Sequence, residues 1–370
     1  MLWGVDPSLL SADALARASV ILAVGLLLLF SAVVSICIIL NNEVLHDVIG
    51  FYLISLALAD LLCALLIVPL SIYSTLSPHW NFSGDDSFIC KCSSYLHIVL
   101  LSSTIYTLAW IGVDRYSAFM KPSRYECEHT MTRCKCWILF SWITAILLAC
   151  PIIVAKMEVN YYPEFELCVL NWSSTMAYSL TLGVLVLFPS ICTVAFTSFG
   201  IFAAMQKPEE LEDSQRSIVE TDENFVVTLF VLISFILAWL PIILVQFLPS
   251  YLIHPADWGT MKFAFMWLAI GGSSSKLLIY LFTNQEFRKS FCSICRLCRR
   301  RRMSSDGNYI DNEESSQLTP NSSGCCCCLP KLNTSPSTPN NAVVSHMPEY
   351  GSFVHTTTTA TNNRAATVYY

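Results

Sequence analysis

Charge is what this chain has least of. Only 13% of its 370 residues are Asp, Glu, Lys or Arg, against 54% hydrophobic ones, a balance that suits a polytopic membrane protein and not a soluble domain of that length. The net charge of -6 has the wrong sign for a nucleic-acid binder, and the basic residues cluster at one place, so no DNA or RNA partner is implied. Also missing are a nucleophile-base pair, a metal-ligand cluster and a glycine loop that could cradle phosphate. The chain therefore reads as no enzyme, with no catalytic residue, metal or cofactor. No period of about 20 to 50 residues repeats, so neither a solenoid nor a transporter's paired halves is visible. The N-terminus runs into apolar sequence without a small-residue cleavage pattern, and the first apolar run is expected to act as its own signal anchor.

What the chain does have is seven apolar runs, from about Val20 to Leu40, Val48 to Tyr73, Phe88 to Phe119, Cys134 to Ala155, Ser174 to Met205, Phe225 to Leu248 and Trp258 to Phe282. Each reaches the roughly 20 residues that a helix needs to cross a bilayer. The third opens near Cys90, closes on Asp114, Arg115 and Tyr116, and is the run around which the others are organised. Lys and Arg favour one side: Arg115, Lys121, Arg124, Arg133, Lys135, Lys207 and the Arg288 to Arg302 cluster lie there, against Arg17, Lys91, Lys156 and Lys262 on the other. That bias puts the N-terminus outside and the tail inside. The expected fold is an all-α seven-transmembrane bundle with an extracellular N-terminus over 1–19, a seven-transmembrane domain over 20–283, an amphipathic basic eighth helix over 284–302 and a disordered tail over 303–370.

Most of the 17 cysteines fall inside apolar runs or in the tail, which leaves Cys90, Cys92 and Cys168 as the extracellular thiols. Asn81 and Asn171 open glycosylation sequons on outer loops, although chance sequons are common and both sit near the bilayer. After the seventh run, Phe287, Phe291, Ile294 and Cys298 recur at helical spacing among basic residues, the pattern of a helix lying on anionic lipid. Cys292, Cys295 and Cys298 are palmitoylation candidates, with Cys325 to Cys328 as a second set; reduced cytosolic thiols are the other reading.

Two ionisable residues stand inside apolar runs, Asp60 in the second and Lys276 in the seventh. A lone charge at mid-membrane costs roughly 2.5 to 3.5 kcal/mol on insertion scales, so each is poorly placed unless they pair. Lys276 snorkelling toward the inner surface is the alternative. Pro189 and Pro241 each remove a backbone hydrogen bond within a run and leave a bend.

Leu56-Ala57-Leu58-Ala59-Asp60, Asp114-Arg115-Tyr116 and Trp239-Leu240-Pro241, in this order on seven runs, resemble the rhodopsin-like G-protein-coupled receptors over roughly Val20 to Cys298. The resemblance implies a disulfide between Cys90 and Cys168, and matches Trp80, Trp142 and Pro189 to family positions. It implies that Asp114, Arg115, Tyr116 and Tyr280 serve activation and coupling, with Arg115 pairing with Asp114 in a closed bundle and turning to a partner in an open one. Phe235 and Trp239 are expected to repack and report ligand to the Pro241 bend. The implied partners are a heterotrimeric G protein, an extracellular or membrane-dissolved ligand, membrane lipid, and arrestin through phosphate on the Ser/Thr-rich tail. The implied location is the plasma membrane.

The chain also departs from the family. Its seventh run reads Lys276-Leu277-Leu278-Ile279-Tyr280 where an Asn-Pro pair is usual, so the proline bend is expected to be gone, and Ala32 stands where the first helix carries asparagine. In relatives the Asp60 cluster binds sodium; here the Lys276 ammonium is expected to take that position and make the receptor insensitive to sodium. His97 replaces the aspartate of amine receptors, and Ile270, not Lys276, aligns with the retinal lysine of opsins. The presumed pocket of His97, Ile98, Thr181, Trp239, Gln246, Trp267 and Ile270, with Tyr73 and Leu185, suits a small, largely apolar ligand. His97 reads two ways, as a ligand contact or as a histidine satisfied by its neighbours. Thr197 replaces the usual fifth-helix tyrosine, and the acidic third inner loop leaves Thr221 as the aligned partner of Arg115. The competing readings are a ligand-independent or scaffolding receptor and, more remotely, a transporter or channel using Asp60 and Lys276 as a relay.

Overall fold

The computed structural model describes residues 11–76, 87–120, 124–125, 130–171, 174–206, 223–247 and 255–293. The chain divides into two units, Met1–Asn308 and Tyr309–Tyr370, and every described residue belongs to the first. Its helices are α1 (Ala12–Asn41), α2 (Val48–Leu76), α3 (Phe88–Met120), α4 (Met131–Val154), α5 (Met176–Met205), α6 (Glu223–Phe247), α7 in two pieces (Pro255–Gly272 and Ser275–Thr283) and α8 over residues 285–293. Six are long and apolar enough to cross a membrane, and the two pieces of α7 together make a seventh.

Local chemistry sets the ends. Ser11 caps α1 by accepting from the Ala14 N–H, Asp47 caps α2 through Gly50, and Thr130 caps α4 through Arg133. Asn284 separates α7 from α8, its Oδ1 accepting from the Phe287 N–H at 2.8 Å. Leu, Ile, Phe and Val side chains stand exposed along α1, α4, α5 and α6, as they do where a bundle meets lipid. α3 is the most enclosed helix and packs against α2, α4, α5 and α6.

Proline chemistry shows at three places. A π-helical turn over Cys63–Ile67 precedes Pro69, and another over Gly183–Leu187 precedes Pro189. The extra residue in such a turn makes room for the proline ring against the carbonyl four residues back. In α5 that carbonyl belongs to Leu185, and the Tyr106 hydroxyl of α3 donates to it at 3.0 Å, so a neighbouring helix satisfies the freed group. Pro241 lies inside α6.

Two features correct or extend the sequence reading. The missing proline does not straighten α7: its two pieces meet at 44°. Here Gly271-Gly272-Ser273-Ser274 are weak helix formers, and Ser273, Ser274 and Leu277 donate three residues back instead of four. The bundle also carries a hairpin, β1 (Val159–Tyr162) paired antiparallel with β2 (Leu167–Leu170), that the helical periodicity did not foreshadow.

At the α7 bend, Gly272 approaches α6 so closely that an added Cβ would overlap the Cβ of Ala238. Gly272→Ala is therefore expected to destabilise the purified protein by about 1–3 kcal/mol, the usual cost of overpacking. Adding Ala238→Gly should return most of the lost melting temperature. Equal losses in the single and double variants would contradict this close approach.

Candidate functional site

The mid-bundle charges meet. Lys276 Nζ lies 2.6 Å from Asp60 Oδ2, and Ser273 bridges them, donating to Asp60 Oδ1 at 2.6 Å and accepting from Lys276 at 3.0 Å. Asp60 is only 6% exposed, and Ala32, Ser31 and Ser35 of α1 close the small space beside it. The α7 bend turns Ser273 and Lys276 to α2, so the tight turn and the ion pair are one arrangement.

Toward the hairpin end lies a cavity of about 360 Å³ between α3, α5, α6 and the hairpin. His97, Ile98 and Ile105 of α3 line it with Leu182 and Val186 of α5, Trp239 and Ile242 of α6, Met266 of α7, and Phe165 and Val169 of the hairpin as a roof. Among the described residues no Asp, Glu, Lys or Arg borders it. A disulfide joins Cys90 of α3 to Cys168 of β2 and holds the roof on.

The hairpin turn is strapped on the other side of the bundle. Arg17 of α1 donates to the Pro163 carbonyl at 3.1 Å and contacts Glu166 at 3.5 Å; Thr75 of α2 donates to Glu166 at 3.2 Å. Glu166 adopts a positive φ of 55° and also accepts from the Tyr161 hydroxyl, which burial holds protonated by raising its pKa. Lys262 of α7 pairs with Glu164 at 2.6 Å, and the Trp267 indole donates to the Phe165 carbonyl at 3.0 Å.

Several expected pocket residues lie away from the cavity, two of them under that strap. Trp267 is 1% exposed beneath the turn, and Ile270 packs with it against α1 and α2. Thr181 faces outward from α5, its hydroxyl donating to the Ala177 carbonyl. Leu185 is exposed too, and Tyr73 does not border the cavity. His97, Ile98 and Trp239 do border it, while the Gln246 side chain lies outside the described residues. Sequence reading missed Ser179 and Gly183, whose only signal was their place on the α5 face one turn from Leu182 and Val186.

Phe235 and Trp239 sit one turn apart on α6 with ring centroids 6.0 Å apart, just before Pro241. Trp239 borders the cavity, and Phe235 continues inward to pack against Ile105 and the lower core. Pro189 lies on the exposed side of α5.

At the opposite end of α3, Arg115 is 5% exposed and its guanidinium bonds Asp114 Oδ2 through Nη2 at 2.7 Å and Nε at 3.1 Å. Tyr125 completes the group: its hydroxyl donates to Asp114 and accepts from Arg115 Nη2, each at 3.2 Å. Burial raises the Tyr125 pKa, so the hydroxyl keeps the proton it donates. Tyr116 packs on Phe196 of α5, and Tyr280 of α7 is buried against Phe287 of α8. Thr197 is buried and bonds its own helix at Thr193. Trp142 of α4 donates to Ser55 of α2 at 2.9 Å.

Of the modification candidates, Asn171 is described and its amide donates to Glu158; Cys292 is half-buried at the end of α8. Trp80, Asn81, Thr221, Cys295, Cys298, the third inner loop and the tail lie outside the described residues.

Residues 31–280 match the family model for the 7 transmembrane receptor (rhodopsin family). The chain is 28% identical over 274 residues to G-protein coupled receptor 52 of Mus musculus, covering 68% of this chain and 74% of that one. It is 26% identical to Probable G-protein coupled receptor 21 of Homo sapiens (70% and 78% covered) and 27% identical to the Substance-P receptor of Mus musculus (72% and 67% covered). Among solved structures, squid rhodopsin superposes with a TM-score of 0.64 at 19% identity, covering 78% of this chain and 86% of that one.

Proposed function

Because the chain belongs to the rhodopsin family of seven-transmembrane receptors, we propose that it binds a small, uncharged, largely apolar ligand in the cavity beneath the hairpin and answers by swinging the Arg115 end of α6. It is a multi-pass membrane receptor of the G-protein-coupled class, not an enzyme. The carrying observation is that Trp239, one turn from Phe235 on the helix that contains Pro241, forms part of the cavity wall. A ligand that displaces the indole acts on α6 where its backbone hydrogen bonding is weakest. Some relatives are named by number alone and others for peptides, so ligand chemistry is argued from this cavity, whose described wall carries no charge and so disfavours an ammonium or carboxylate.

In this reading the hairpin end faces outside, and Arg115, Asp114, Tyr116 and Tyr280 face the G protein. Asn81 and Asn171 then carry the glycan sites, Cys292, Cys295 and Cys298 the acyl sites against lipid, and the tail the arrestin contact. A transducer-recruitment panel across G-protein classes, screened with uncharged apolar compounds, tests it. Active compounds are expected to lose roughly tenfold or more in potency in His97→Ala, the size of one lost hydrogen bond or somewhat above it, and in Trp239→Ala. Potency unchanged in both variants would remove the cavity from signalling.

Tyr125, beyond the end of α3, ties the closed arrangement of Asp114 and Arg115. Tyr125→Phe removes only the hydroxyl, and hydrogen bonds to charged groups are worth about 1.5–3 kcal/mol. Basal second-messenger production is expected to rise severalfold at equal surface expression; a fall or no change would show that the hydroxyl does not restrain Arg115.

A further inference from the structure

Among the described residues α6 packs along α7 and α3 but makes little contact with α5. Leu187 of α5 and Ile243 of α6 both border the cavity and are 43% and 47% exposed on the outer surface of the bundle. An opening between them would join the cavity to the space where acyl chains lie. On the water side, the disulfide and the contacts of Arg17, Thr75, Lys262 and Trp267 hold the hairpin down.

On this side of the cavity α5 is irregular. Gly183 begins the π turn, lines the cavity, and a Cβ built on it would meet nothing within 4 Å. Any side chain would narrow the passage, and the chain has none there.

Polar groups inside wait for a partner. Ser179 Oγ is buried, its residue 8% exposed, and it makes no hydrogen bond among the described residues. His97 across the cavity is likewise without a hydrogen-bond partner among them. An unsatisfied buried hydroxyl costs about 1–3 kcal/mol, which a ligand's polar head would recover. With no charged residue among the described ones on the wall, a neutral head fits it.

We propose that the cavity takes an uncharged single-chain amphiphile, with a hydroxyl, ester or amide head on Ser179 and His97, and that it enters from the outer leaflet between α5 and α6 past Gly183. This rests on reading the cavity as the ligand site and the hairpin end as outside.

The test uses the full-length receptor in nanodiscs with a diazirine-bearing monoacylglycerol, and with the matching fatty acid at neutral pH as the charged arm. Crosslinks from the monoacylglycerol are expected to concentrate on residues 179–188 and 239–243. They should fall at least fivefold in Gly183→Phe and severalfold in Ser179→Ala, with the fatty acid labelling those segments severalfold less. Labelling spread evenly over α1 and α4 as well, or undiminished in Gly183→Phe, would overturn the inference. Because Gly183 has open space beside it, the variant is expected to fold, and an unchanged melting temperature checks this. The His97→Ala and Trp239→Ala potencies test the cavity's signalling role without reference to entry: if they fall while Gly183→Phe labels normally, only the lateral route fails. If labelling follows Gly183 and potencies do not move, the cavity holds lipid without signalling.

Discussion

Lys276→Met is expected to reduce the receptor at the cell surface by roughly tenfold, because it strands Asp60 as an unpaired charge in the middle of the bundle. Breaking a buried pair from one side costs about 3–5 kcal/mol, far more than the pair itself contributes over an apolar substitute. Asp60→Leu should be as damaging, since it strands Lys276 instead. The double variant Asp60→Leu with Lys276→Met, and the exchange Asp60→Lys with Lys276→Asp, are both expected to regain most surface staining. The double variant removes both charges; the exchange restores the pair across a 2.6 Å gap, with the Ser273 hydroxyl able to donate to either carboxylate. Normal surface levels of both single variants would end the pairing account. The same pair predicts the response to salt: the wild-type melting temperature should be equal in sodium and choline chloride at matched ionic strength. Sodium should raise it only in Lys276→Met, where the carboxylate is open to a cation that binds the folded state. Sodium stabilisation of the wild type would contradict this.

Arg115→Ala is expected to lower G-protein activation by at least roughly tenfold at unchanged surface expression, the loss of a charge-assisted contact worth about 1.5–3 kcal/mol. In the structure the guanidinium is spent inward on Asp114 and Tyr125. Offered outward, its planar fork can bind carbonyl or carboxylate groups of a docked partner, which alanine cannot do. Asp114→Asn, which keeps the shape and removes the charge that holds the guanidinium, should instead raise basal activity. Signalling that persists unchanged in Arg115→Ala would favour a receptor that assembles partners without activating a G protein.

The seven spans were legible because lipid demands long uninterrupted apolar runs, and the helices fall within a few residues of those runs except at α1, which starts earlier, at Ala12. Asp60 and Lys276 were legible for the same reason: in a medium where an isolated charge is costly, two of opposite sign imply each other. The bend in α7 was not. Proline is one way to break a helix, but here a Gly-Gly-Ser-Ser stretch, with Ser273, Ser274 and Leu277 donating three residues back, does it without one. The pocket was only partly legible. A π turn holds one more residue than an α turn, which rotates whatever lies beyond it by about 100°. Thr181, beside the Gly183–Leu187 turn, thus faces out where residue spacing alone set it inward. Trp267 and Ile270 were displaced by a partner far away in sequence, the hairpin turn whose carbonyl takes the indole N–H. No helical pattern in α7 carries that information.

The most direct test of the account is the distance between α4 and α6 near the Arg115 end, measured by spin labels on unnatural amino acids at Thr132 and Phe230, both exposed, so that the native cysteines stay untouched. The account predicts a longer distance when nucleotide-free G protein is added to the wild type, and no lengthening in Arg115→Ala. A distance that stays fixed in the wild type while the G protein exchanges its nucleotide would contradict it.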